Sequence, residues 1–359
     1  MKQIKQIIVG ILLSVVSFYL LEQPVQASQL NFSVTTIPAE SQIDQENTYF
    51  DLVLPKGKSE KIEVELKNST ENEVEIGIAV NSTTTNSNVS VEYGENDLEK
   101  DESLDHDISD YVNYPDTVVL EPESSKVVSF EVTMPDELFD GVMAGGITFE
   151  EILPENSEIG DGEGLSIQNE YSYVVALLIR QNLNSVTPNL NLKEVKADQI
   201  NARNVISALL QNDQKTYINQ VVISTQITKQ GSSDVLYQEE KTSLQIAPNS
   251  HFYFPTALNG NNLEAGDYHL AVEVYGDPSD DGEYIYKTEG EKLSFAYYWE
   301  FEKDFTIEKN IAKDLNKKDV SLKKDTSSFY PIVIGILVLM VIILAILLVR
   351  NRKSSAKNK

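Results

Sequence analysis

Glu63-Val64-Glu65-Leu66-Lys67-Asn68 runs through the polar turn Ser69-Thr70-Glu71-Asn72 into Glu73-Val74-Glu75-Ile76-Gly77-Ile78-Ala79-Val80. Ile62, Val64 and Leu66 alternate with glutamates, and Val74, Ile76, Ile78 and Val80 do the same after the turn. Side chains of a strand point to opposite faces in turn, so this period of two describes two strands, each with one wet and one buried face. Val128, Phe130, Val132 and Met134 repeat the pattern. Such runs recur about every ten residues with turn residues between them, which predicts sandwiches rather than a helical or α/β fold.

A second stretch copies the first. Ser207 to Asn212 (SALLQN) leads through a polar turn into INQVVIST, as EVELKN leads into EVEIGIAV. Pro122-Glu123-Ser124 precedes VVSFEVTMP and Gly141 follows; Pro248-Asn249-Ser250 precedes HFYFP and Gly266 follows. Proline pre-sets φ for a turn, and the Ser or Asn side chain can satisfy its backbone groups. One domain type used twice explains this order; two unrelated sandwiches with common turns would also produce it. The expected fold class is all-β: two immunoglobulin-like β-sandwich domains in tandem, followed by a short stalk and one transmembrane helix. The expected boundaries are 28–186 and 187–306, with the break near Val186-Thr187-Pro188.

The first unit is longer between its landmarks. Thr84 to Tyr114 is an insertion holding the acidic run Glu95 to Asp110, and Glu155 to Gly164 is a second acidic stretch at the tip of a hairpin made by ITFEEI and YSYVVALLIR. Both read as loops, where binding sites sit on a rigid scaffold or where a chain is merely solvated. The second unit ends in aromatic residues. At period two, Tyr297, Trp299 and Phe301 share a face and Tyr298 takes the other, as core packing or as a platform for sugar or protein.

The ends specify a compartment. Lys2 and Lys5, the apolar run Ile7–Leu21 and Val25-Gln26-Ala27 make 1–27 an expected signal peptide. Ile332 to Val349 carries no charge and follows Phe329 and Tyr330, so a transmembrane helix is expected over 330–349. Arg350, Arg352, Lys353, Lys357 and Lys359 make 350–359 a basic cytoplasmic tail, and 307–329, with Ile311, Leu315 and Leu322 at helical spacing, a charged juxtamembrane stalk. These features describe a single-pass cell-membrane protein with an extracellular N-terminal part. The chain has no cysteine, which suits the surface of a Gram-positive bacterium better than a disulfide-bonded eukaryotic ectodomain. Asn68-Ser69-Thr70 and Asn81-Ser82-Thr83 are then turn and strand residues rather than glycosylation sites.

Net charge is −27, and with the basic ends removed the remainder stands near −33. Such a surface excludes nucleic acid as a partner and gains nothing from anionic lipid or wall polyanions. It favours neutral glycan and peptide, or a basic protein. Chemistry is sparse. His106, His251 and His269 are the three histidines, none in a zinc spacing or beside a nucleophile. No hydrolase, zincin or phosphate-loop motif occurs. No catalytic, cofactor-binding or metal residue is assigned, no cofactor is expected, and the chain is not expected to be an enzyme. Asp277-Pro278-Ser279-Asp280-Asp281-Gly282 starts like a calcium loop but ends on Thr288 with Glu289 one place late, so an acidic hairpin turn competes with calcium binding. Leu153-Pro154-Glu155-Asn156 begins like a sorting signal but lacks its Thr-Gly.

FSVTTIPAE, the VELKNSTENE turn, VMAGGITFEE followed by YSYVVALLIR, and YYWEFEKDFTIEKNIAKDLN resemble, in this order, the WxL-interacting proteins of low-GC Gram-positive bacteria. The resemblance covers nearly the whole chain. It implies an N-terminal peptidoglycan-binding domain, a second host-binding domain, and partnership with secreted WxL-domain proteins. Trp299 is followed by Glu300 and Phe301, so the chain lacks a W-x-L triplet, which fits the partner role. The resemblance names no binding residue. The expected function is a non-enzymatic surface protein that binds WxL proteins and peptidoglycan and contacts host matrix. The alternatives are a free-standing adhesin acting through the second domain, and a peptidoglycan hydrolase.

Overall fold

Ile62, Val64 and Leu66 do point inward from one strand, and the copy begun at Ser207 builds the same strand in a second sandwich. The computed structural model describes residues 31–153, 172–288, 290–322, 337–340 and 342–343. The expected signal peptide 1–27, the tip Glu155–Gly164 and the tail 350–359 lie outside them.

The first sandwich contains β1 (Phe32–Ile37), β2 (Phe50–Val53), β3 (Ser59–Asn68), β4 (Val74–Ser82), the short ribbon β5 (Thr84–Thr85) and β6 (Val91–Glu92), β7 (Val112–Asn113), β8 (Thr117–Leu120), β9 (Ser125–Thr133), β10 (Met143–Glu151) and β11 (Ser172–Arg180). Sheet I has the order β1-β3-β9-β7, and sheet II the order β2-β11-β10-β4-β8. Only β2 pairs in parallel, with β11; the other pairings in these two sheets are antiparallel. The alternating residues of β3, β4 and β9 meet between the sheets with Phe50, Phe130 and Phe149.

The second sandwich contains β12 (Leu190–Ile200), β13 (Arg203–Asn212), β14 (Ile218–Lys229), β15 (Val235–Ile246), β16 (Ser250–Ala257), β17 (Gly266–Pro278), β18 (Tyr284–Thr288) and β19 (Glu291–Ile307), followed by α1 (Lys309–Lys318). Sheet III is β12-β13-β16 and sheet IV is β15-β14-β17-β19-β18. The order β1-β3-β9 matches β12-β13-β16, and β11-β10-β4-β8 matches β19-β17-β14-β15. Atomic detail repeats too. Asn68 and Asn212 are both fully buried. Asn68 Nδ2 donates to the carbonyls of Asn72 (2.7 Å) and Glu121 (3.1 Å), and Asn212 Nδ2 to those of Thr216 (2.7 Å) and Ala247 (2.9 Å). In the Pro-x-Ser turns, Glu123 and Asn249 both have positive φ, and Ser124 and Ser250 donate to the residue before the proline.

The helix predicted from Ile311 and Leu315 forms as α1, and it packs on the second core through Ala312 and Leu315 while Ile311 stays 42% exposed. Gln199 donates to the carbonyl of Leu315 (2.8 Å), and buried Asp319 accepts from the backbone of Asn204 (2.8 Å).

The expected transmembrane helix, and with it the single-pass membrane location, is overturned. Among the described residues no helix is long and apolar enough to cross a membrane. Within 330–349 the described helical positions are 337–340 and 342–343, and the rest lies outside the described residues. Apolar composition does not by itself establish a span, which must be a helix long enough to satisfy its own backbone across the bilayer.

Candidate functional site

The insertion Thr84–Tyr114 was expected as a loop; it is a buttress between the sandwiches. Its course depends on Gly145 and Gly146 in β10. A Cβ on Gly145 would stand 2.5 Å from Ile108, whose side chain enters the first core, and a Cβ on Gly146 would stand 2.4 Å from the carbonyl oxygen of Tyr93. The two glycines face opposite sides of the strand, so one admits the end of the insertion and the other its middle. Beyond them the insertion docks on the second sandwich. Val89 is fully buried in that sandwich's core, and its carbonyl accepts from Gln245 (3.1 Å). Thr85 meets Ser250 (2.7 Å) and accepts from the Ala247 amide (3.0 Å).

Asp101 is the charged centre of this seat, 7% exposed. It accepts from Gln211 (2.9 Å) and lies 2.7 Å from His251 Nδ1. Burial would raise its carboxyl pKa, but hydrogen bonds from Ser103, Gln211 and His251 outweigh burial and hold it below the usual carboxylate range. Burial, with Tyr93 close by, pushes the Tyr217 phenol far up.

Two outward faces are open enough for ligands. On sheet I a groove of about 590 Å³ runs along Ser59, Lys61, Tyr114, Ser129 and Glu131. Tyr114 is half-buried and stacks on Phe130 at 6.2 Å, so its ring is a fixed wall. Lys61 pairs with Glu63 at 2.6 Å, and Ser129 donates to Glu63 at 3.2 Å. A fixed ring among short polar groups of both charges suits neutral, hydrogen-bonding ligands.

The other face is the outside of sheet IV. Tyr275 lies 4.9 Å from Tyr298 and 5.4 Å from Tyr286, and Tyr284 stacks on Tyr298 at 5.5 Å. Glu273 and Glu300 stand opposite each other in register on β17 and β19, and Glu240 and Ser224 pair beside them on β15 and β14. A hydrogen bond to Glu240 at 2.6 Å, with burial, pushes the Tyr286 phenol to about 12. Burial, followed by Glu273 and Glu300, raises the Tyr275 and Tyr298 phenols. All three rings stay uncharged in neutral solution.

Trp299 and Phe301 point the other way, into the second core, and Tyr297 stacks on Trp299 at 5.9 Å. His106 contacts Tyr111 (3.1 Å), and His269 lies 2.7 Å from Asp304. The stretch Asp277–Gly282 is a turn between β17 and β18. Asp277 Oδ1 is engaged by the Asn219 amide (2.8 Å), and Gly282 packs against the Phe295 backbone. Among the described residues no group of three or more His, Cys, Asp or Glu is placed to hold a metal. Asp101, Gln211 and Val89 escaped the sequence reading, since nothing local distinguishes a docked acid from a solvated one.

Residues 32–151 match the family model described as WxL Interacting Protein, peptidoglycan binding domain, and residues 162–317 the model described as WxL Interacting Protein, host binding domain. No curated protein matches the chain. Among solved structures it is similar to the class 5 fimbriae chaperone CfaA (19% identity over 74% of this chain and 99% of that one, TM-score 0.28). It is also similar to the E. coli chaperone DraB (14%, 77% and 98%, TM-score 0.27) and the Pseudomonas aeruginosa CupB2 chaperone (12%, 72% and 97%, TM-score 0.27).

Proposed function

This chain belongs to the WxL-interacting protein family, and from that premise we propose that it is a non-enzymatic cell-surface protein holding WxL-domain proteins at the peptidoglycan. The peptidoglycan-binding match spans β1 to β10 of the first sandwich, and the host-binding match takes in β11 together with the second sandwich. The observation that carries the reading is the groove on sheet I. It has a volume of about 590 Å³ and a ring wall in Tyr114, and offers Ser59, Ser129, Glu131 and Lys61 as hydrogen-bonding groups. With the chain at −27, attraction to wall polyanions contributes nothing, so short-range contacts to neutral glycan must supply the binding. A WxL partner would be drawn in by opposite charge if basic, and that step would weaken with salt while wall binding would not.

The insertion supports a coupled device. Because Val89 and Asp101 seat on the second sandwich, the wall-facing and host-facing halves share an interface rather than hanging from a linker. A second reading, adhesion to a host protein through the second sandwich alone, is favoured by the tyrosine and glutamate face of sheet IV. The test uses the full chain. Sedimentation with purified peptidoglycan and capture of a WxL protein should both occur, the first insensitive to salt. A zone of cleared peptidoglycan, abolished by one carboxylate substitution, would replace the binding reading with a hydrolase.

A further inference from the structure

Sheet I ends on an edge that the chain begins to cover and then leaves. β7 pairs with β9 at Val132 and Glu131, although β9 begins at Ser125. Tyr114 and Pro115 carry the chain away. The Tyr114 ring stacks on Phe130 at 6.2 Å, its hydroxyl accepts from the Val80 amide (3.3 Å), and Pro115 has no N–H to offer β9. The Asp116 carbonyl then accepts from Ile78 (2.9 Å), and β8 joins β4 in sheet II.

The backbone groups left behind can be named. Along an antiparallel strand the N–H and C=O of one residue point to one side and those of the next residue to the other. The Ser124 carbonyl accepts from Asn68 (2.8 Å) and the Met134 amide donates to Lys58 (2.9 Å), both on the β3 side, and the β3–β9 register between them is unbroken. The odd-numbered residues of β9 therefore turn away from β3. Glu131 meets β7, while Ser125, Val127 and Ser129 keep outward N–H and C=O groups with no partner among the described residues. All three residues are exposed, Val127 at 49%. From Ser125 to Phe130 this edge is about 20 Å long.

The second sandwich has the same edge closed. β16 is the counterpart of β9. With Asn68 aligned on Asn212, Ser129 opposite Glu63 falls on Pro255 opposite Ser207. A proline there removes the outward donor, one of the ways in which a free edge is kept from pairing. The insertion also seats on the first residues of β16, through Ser250 and His251. Among the described residues the stretch Ser125–Phe130 has neither device. We infer that β9 accepts an added strand, an extended segment of the WxL partner that pairs with Ser125, Val127 and Ser129 and continues the line of β7. Backbone pairing supplies the affinity of such an addition and alternate side chains its specificity. A net charge of −27 on each chain opposes a second copy as the occupant and favours a neutral or basic segment. The inference rests on the reading that a WxL protein is held here. It uses the backbone of Ser129 and leaves the side chain to the groove on sheet I.

Amide exchange of the full chain, followed residue by residue with and without a WxL protein, tests the edge. In the free chain the Val127 and Ser129 amides should exchange fast, and that of Phe130, turned toward β3, slowly. The WxL protein should slow exchange at Val127 and Ser129 by about tenfold or more. Slow exchange at both in the free chain overturns the inference, and slowing that grows with chain concentration gives the edge to a second copy instead. In capture of the WxL protein, Ser129→Pro, which copies Pro255, should lose about tenfold or more in affinity while Ser129→Ala loses none. Capture by wild type that Ser129→Pro leaves unchanged, or that brings no protection to β9, overturns the edge and leaves the WxL reading standing. No capture by wild type overturns both. The exchange result holds even where Ser129→Pro does not fold.

Discussion

Asp101, in the insertion of the first sandwich, lies 2.7 Å from His251 on β16 of the second. The two residues are 150 positions apart, and Gln211 completes the contact from the neighbouring strand β13. An acid from the most acidic stretch of the chain is thus buried between sandwiches rather than displayed to solvent.

Asp101→Ala should leave Gln211 and His251 without their acceptor and cost about 3 kcal/mol in urea unfolding. The carboxyl pKa of Asp101 is lowered by folding. Its contribution is therefore complete above the unfolded carboxylate value of about 4 and is lost as pH falls through the lower folded value. Asp101→Asn should flatten the acid limb of stability against pH. An unchanged limb would show that the contact carries no charge-linked stability.

Gly146→Ala should displace the insertion, because the new methyl would meet the Tyr93 carbonyl at 2.4 Å. A loss of about 2–3 kcal/mol and faster amide exchange in residues 91–97 are expected. Gly231→Ala, with nothing within 4 Å, is the contrast: it pays only the strain of φ +79°, about 1 kcal/mol, and leaves exchange in 91–97 unaltered.

Asn68→Asp and Asn212→Asp should be similarly damaging, about 3 kcal/mol each, since a carboxylate cannot donate to the carbonyls each amide now holds. Urea unfolding of the two variants checks this, and a large cost at one site with none at the other would refute the equivalence of the turns.

The strands were legible because burial on one face leaves a period of two, as in Ile62–Leu66 and Val128–Met134. The paired turns were legible because Asn68 and Asn212, and Pro122 and Pro248, are chemically demanding positions. The seat of the insertion was not. Val89 is one apolar residue among Asn and Ser, and Asp101 is one acid among many; only the distant partners Gln211, Gln245 and His251 give them meaning. The tyrosine face was half legible: alternation separated Tyr298 from Trp299, but the meeting of Tyr275, Tyr284 and Tyr286 depends on strand order.

Tyr286 should ionise near 12, followed by absorbance at 295 nm, and Glu240→Gln should lower that value by removing its charged acceptor. Because folding raises this pKa, the linked stability is fully present below the unfolded value of about 10 and is lost as pH rises through the folded one. No difference between wild type and Glu240→Gln would show that the hydrogen bond does not form.

Whether sheet I holds the wall is decided by sedimentation of the full chain with purified peptidoglycan, wild type against Ser129→Trp. Ser129 is exposed, and among the described residues its one side-chain partner is Glu63, so the indole fills the groove without disturbing the core. Wild type should sediment equally from about 50 to 500 mM salt, since short-range contacts rather than screened charges bind it. Ser129→Trp should lose about tenfold in affinity while Tyr284→Ala, on the far sandwich, loses none. Wild-type protein left in the supernatant, or Ser129→Trp sedimenting as well as wild type, would contradict the assignment.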